Sequence, residues 1–134
     1  MNLHELSQLY YLRKEIKNDE ARLLDLETAA AACTANYGGS TGSPTAGSHS
    51  DRTGDYAAAI ADIRDIIAEK RLNCLQEQLR LEKYIAGVED SVVRLAMTCR
   101  FVSGLSWQKV ARRMGGNNTA DSCRMLVKRY LKRG

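Results

Sequence analysis

Residues 3 to about 33 contain neither glycine nor proline. Leu9, Leu12, Ile16, Leu23, Leu26, Ala30 and Cys33 recur through them at alternating spacings of three and four, with Asp19 in the one polar place of the series. No β-strand has that period, and a helix that has it carries a narrow apolar seam of the coiled-coil kind. The remaining faces mix charges (Arg13, Lys14, Glu15, Lys17, Glu20, Arg22, Asp25, Glu27), as a solvated helix surface does. A seam this narrow buries little by itself, so the segment requires a partner helix.

A second long run supplies one. Residues 55 to about 88 place Tyr56, Ile60, Ile63, Ile67, Cys74, Leu81, Ile85 and Val88 close to a seam, interrupted by Lys70 and Gln78. Leu72, Leu75 and Leu79 fall on an adjoining face. Asp55 is placed to cap this helix. Between the two runs, residues 36–54 are rich in Gly, Ser and Thr and poor in apolar side chains. Such a stretch cannot offset the entropy of ordering by burial, and it reads as a mobile loop. It lacks the Gly-Lys-Ser/Thr ending and the preceding strand of a phosphate-binding loop. The expectation for residues 1–88 is an antiparallel helical hairpin or coiled coil, with helices at about 3–35 and 55–88. Association of two such hairpins would cover the extra leucines.

Residues 89–134 have a different character. Val92, Leu95, Ala96, Cys99 and Val102 share one face of a helix at about 91–103, which Glu89, Asp90 or Ser91 starts. Ser106 is an N-cap for a short helix at 106–114 whose apolar stripe is Val110, Ala111 and Met114. Trp107 is placed to cover the first of these helices. Gly115 and Gly116 end the short helix where a left-handed backbone is cheap. Asn118 or Thr119 then caps a helix at about 119–132 with Cys123, Leu126, Val127 and Tyr130 on its apolar side. Three short helices of this kind are the smallest bundle that covers a helix-turn-helix core. The fold class is therefore all-α, a hairpin followed by a three-helix helix-turn-helix domain.

Charge separates the two parts. The 134-residue chain has a formal charge of +4, yet from Arg100 onward nine Lys/Arg face the single acid Asp121, a local charge of +8 that leaves −4 for the rest. A basic unit on a neutral-to-acidic body suits a polyanion partner, and double-stranded DNA fits a helix-turn-helix. The residues that reach base edges in such a reader lie in the N-terminal half of its last helix: here Asn118, Thr119, Asp121, Ser122, Arg124 and Met125, with Arg124 matched to guanine. Lys109, Arg112, Arg113, Lys128, Arg129, Lys132 and Arg133 are the phosphate-contact candidates.

Cys33, Cys74, Cys99 and Cys123 lie far apart, and His4 and His49 complete no metal-ligand spacing, so no metal and no cofactor is expected. The thiols read as small apolar groups of a reducing compartment. The start of the chain shows no signal-peptide pattern, and no apolar run reaches membrane-spanning length, which points to a cytoplasmic protein. No second cluster of nucleophile, base and orienting group accompanies Ser48, His49, Ser50 and Asp51, and no catalysis is expected.

The run from Arg94-Leu95 through Arg100-Phe101-Val102-Ser103-Gly104-Leu105-Ser106-Trp107-Gln108-Lys109-Val110-Ala111-Arg112-Arg113-Met114-Gly115 resembles region 4 of sigma-70-type factors. It is closer still to phage and prophage regulators with a region-4-like C-terminus, the ArpU/RinA-type late-gene activators and related phage proteins. The likeness is one of motif over about 91–133 and of layout elsewhere. It departs at the Gly- and Asn-rich turn and at Lys109, where the family has an acid. The resemblance implies a sequence-specific transcriptional regulator of phage or prophage genes in the bacterial host cytoplasm, with DNA as partner and host RNA polymerase as a further candidate. The long helices themselves point to a homo-oligomer, a dimer above all, through the N-terminal segment, with an intramolecular hairpin and no more as the alternative. The alternatives are a small-terminase-like DNA-packaging component and a module that contacts RNA polymerase or a host factor.

Overall fold

In the computed structural model, which describes residues 1–37 and 46–133, the chain is all-helical: α1 (Leu3–Tyr37), α2 (Ala46–Ala86), α3 (Ser91–Met97), α4 (Trp107–Met114) and α5 (Ala120–Arg133). Among the described residues there is no strand, and no helix is long and apolar enough to cross a membrane.

Helix α2 starts earlier than the sequence suggested. The segment expected as a loop at 36–54 is helical through Tyr37 and again from Ala46, and Asp55, expected as a cap, lies inside α2. The glycine at 54 costs a helix interior only about 1 kcal/mol, while each residue added to a nucleated helix gains a hydrogen bond. What was expected of 38–45 lies outside the described residues.

One compact unit comprises Met1–Arg13 with Asn73–Gly134, and the other comprises Lys14–Leu72. Leu6 and Leu9 of α1 are fully buried in the same cluster as Leu81, Val88, Met97, Val110, Cys123 and Val127. The basic helices thus share their core with the first turns of α1 and the end of α2.

In the unit of residues 14–72, Ile16, Ile63 and Ile67 are buried, and Leu23, Leu26, Tyr56 and Ile60 are half-buried. Cross-helix ion pairs join Glu20 to Arg71 (2.6 Å), Asp19 to Lys70 (2.6 Å) and Glu27 to Arg64 (2.9 Å). The partners of Asp19 and Glu20 lie later in α2 than the partner of Glu27.

Helix α3 begins at Asp90, whose carboxylate accepts from the Val92 N–H at 2.9 Å. The helix expected over 91–103 holds α geometry only to Met97. From Thr98 to Val102 it widens into a π-turn, with the Ser103 N–H donating to the Thr98 carbonyl at 2.9 Å. Arg13 ties this turn down. Its guanidinium donates to the Val102 carbonyl at 2.6 Å and to Gln78 Oε1 at 3.2 Å. Such a turn leaves carbonyls without their usual partner, and a charged donor from another helix satisfies one.

Candidate nucleic-acid interface

Three short elements hold the basic helix. α5 packs on α3 and α4, and the π-turn packs on α4. Val127 and Cys123 are 1% exposed, and the Cys123 thiol meets the Met114 sulfur at 3.6 Å. Leu126, Tyr130 and Leu131 add partly buried contacts. With that side inward, the 100° step of a helix turns Asp121, Met125, Lys128 and Lys132 outward as one stripe. Arg124 flanks the stripe on one side, and Ser122, Arg129 and Arg133 flank it on the other. All eight are exposed.

The approach to α5 is fixed locally. Ser106 accepts from the Lys109 N–H at 3.4 Å and caps α4. Gly115 closes α4 with φ 74° and ψ −172°, a conformation essentially reserved for glycine, and Gly116 follows at φ 64°. The Asn118 side-chain amide donates to the Gly115 carbonyl at 2.8 Å, which braces the turn. Thr119 and Ser122 then cap α5 reciprocally. Thr119 Oγ1 accepts from the Ser122 N–H (3.1 Å), and Ser122 Oγ accepts from the Thr119 N–H (2.8 Å). This is a capping box with serine in place of the usual Glu or Gln.

The six base-contact candidates therefore divide. Asn118, Thr119 and Ser122 have structural duties in the turn and cap. Asp121, Arg124 and Met125 project from the first turns of α5, where Arg124 Nη2 lies 3.6 Å from Asp121 Oδ1. That pair is exposed, and its net worth is of the order of 0–1 kcal/mol, so the guanidinium is not locked.

The phosphate candidates divide too. Arg112 and Gln108, one turn apart on α4, line a shallow concavity with Gly115, Gly116, Asn118 and Ala120, beside the start of α5. Lys109 and Arg113 occupy the next flank of α4 and are exposed. Lys128 and Lys132 stand on the outer stripe of α5. Arg129 and Arg133 instead line a concavity with Glu89, Asp90 and Tyr130, so acids lower the positive potential around them. Arg100, counted in the basic surplus, is occupied. It donates to the Leu105 carbonyl at 3.0 Å and lies 5.0 Å from the Trp107 ring centroid. Trp107 in turn meets Phe101 edge-on at 6.3 Å, the packing position expected of it.

Sequence reasoning passed over Leu6, although it lies three residues before Leu9 at an allowed helical spacing. It also passed over Arg13, whose role depends on elements distant in the chain and carries no local signal, and Gln108, which shares its concavity with residues 111–120. Among the described residues no group of three or more His, Cys, Asp or Glu side chains is placed to hold a metal ion. No protein-family model, curated protein or solved structure matches the chain.

Proposed function

We propose that this chain is a sequence-specific DNA-binding transcriptional regulator, with α3, α4 and α5 acting as a helix-turn-helix and α5 entering the major groove. The observation that carries the reading is the two-sidedness of α5: Cys123 and Val127 fully inward, and an outward stripe bearing Lys128 and Lys132 with Arg124 on its flank. A helix of 14 residues is about 21 Å long and 10–12 Å across, and the major groove, about 12 Å wide, admits it.

Arg124 reads a base in this arrangement, with Asp121 and Met125 beside it. Arg112, Lys109, Lys128 and Lys132 bind phosphates. Asn118, Thr119 and Ser122 set the angle at which α5 leaves the turn. The likeness of residues 91–133 to sigma region 4 and to phage late-gene activators supports a promoter-facing role in phage or prophage transcription. Under the same proposal the long helices form a hairpin that carries the reader and joins two chains into a dimer.

Selection of binding sites from random DNA, followed by anisotropy titrations at several salt concentrations, tests the reading. The expected result is a recovered consensus and an affinity that falls steeply with salt. Arg124→Ala loses discrimination at one base position, whereas Lys132→Ala weakens all sequences about equally. Failure to bind DNA at low salt overturns the proposal.

A further inference from the structure

The seam of α2 described above faces inward, but the same helix carries a second series. Ala68, Leu72, Leu75, Leu79, Glu82 and Ala86 follow one another at steps of 4, 3, 4, 3 and 4, and every one is exposed. Leu72, Leu75 and Leu79 retain 56%, 53% and 51% of their surface in contact with water. Scattered exposed leucines need no explanation, but a strict three-four series of them is the pattern that knobs-into-holes pairing requires. A solvated face gains nothing from that register.

We infer that this outer seam of α2 pairs with the same seam of a second copy of the chain, antiparallel, about a two-fold axis close to Gln76 and Glu77. The inference rests on the proposed association through the long helices and is independent of the DNA reading. Charge selects the orientation. Parallel pairing sets each seam residue against itself, which brings Glu82 against Glu82 and, one step before Ala68, Asp65 against Asp65. Like charges at such positions are repulsive. Antiparallel pairing centred at Gln76–Glu77 instead sets Leu75 against Leu79 of the second copy, Ala68 against Ala86 and Leu72 against Glu82, so that the two Glu82 carboxylates lie at opposite ends of the seam. On the flank of the seam it brings Glu69 opposite Lys83, twice by symmetry, and Gln76 opposite Gln76. Glu69 and Lys83 are exposed, and among the described residues neither has an ion-pair partner in its own chain.

Light scattering on the full-length chain without DNA, across micromolar concentrations, tests this. The wild type is expected at twice the chain mass. Leu79→Lys, at an exposed site that leaves circular dichroism unchanged, is expected at the mass of one chain. Glu69→Lys raises the dissociation constant at least tenfold, and the double variant Glu69→Lys, Lys83→Glu recovers it. In a Cys33→Ser, Cys74→Ser background, Gln76→Cys forms a disulfide-linked dimer on mild oxidation. A monomeric wild type overturns both the association and this seam. A dimer that survives Leu79→Lys overturns the seam alone. Failure of the charge exchange or of the Gln76→Cys cross-link overturns the antiparallel register.

Discussion

Lys70 Nζ stands 2.6 Å from Asp19 Oδ2, and each is a polar residue that breaks the apolar series of its own long helix. Two interruptions that look like defects in separate helices are one contact between them. The Asp19 side chain is 9% exposed, and Glu15 approaches the same ammonium at 3.6 Å. A paired polar step within an apolar seam contributes little net stability but penalises other registers, because shifting either helix leaves a charge without its partner.

The first prediction follows from that pair. Lys70→Met leaves Asp19 without its main partner and lowers the thermal midpoint, while Asp19→Leu combined with Lys70→Met recovers most of the loss. The hydrogen bond to Asp19, foremost, raises the Lys70 ammonium above its ordinary value of 10.5; burial opposes it, and the charges of Asp19 and Glu15 add to the rise. A raised folded value contributes stability that is complete below the unfolded value and is lost as pH rises through the folded one. The difference in thermal midpoint between wild type and Lys70→Met is therefore expected to be equal at pH 7 and pH 9 and smaller at pH 11. A gap that grows toward pH 11 contradicts the assignment.

The shared core predicts that residues 89–134 do not fold alone. Leu6 and Leu9, both fully buried, belong to the cluster that holds α5. A fragment beginning at Glu89 is expected to show no cooperative thermal unfolding. In the full chain, Leu9→Ala costs about 2–5 kcal/mol in denaturant titration, as large-to-small changes in a packed core do. A fragment with a sharp transition refutes this.

Gly115 tests the turn. An added Cβ at Gly115 would meet nothing within 4 Å, so the whole penalty of Gly115→Ala is conformational. With φ at 74°, the loss is expected at about 1–3 kcal/mol, read by chemical denaturation. A neutral result means that the turn has relaxed to another conformation.

The surroundings of the cations rank their effects on DNA affinity under the proposed function. Lys128 lies on the outer stripe, whereas Arg129 shares its concavity with Glu89 and Asp90. Lys128→Ala is expected to weaken binding and reduce the slope of log affinity against log salt by about 0.9. Arg129→Ala is expected to change that slope little. Equal slope changes, measured by anisotropy, contradict this ordering.

Local spacing determined much of this protein from sequence alone. The periods of three and four marked the long helices and the polar steps at Asp19 and Lys70. Ser106, Gly115, Gly116 and Thr119 marked the ends of α4 and the start of α5. Each of these depends on residues within one or two turns of each other. Tertiary structure alone decided what meets what. It placed Leu6 and Leu9 in the core of the basic unit and used Arg13 to close a π-turn 89 residues away. It also put Arg129 and Arg133 beside acids while Lys128 and Lys132 face outward. Spacing fixes which side chains share a face of one helix, but the choice of the face it packs against belongs to the free energy of the whole core.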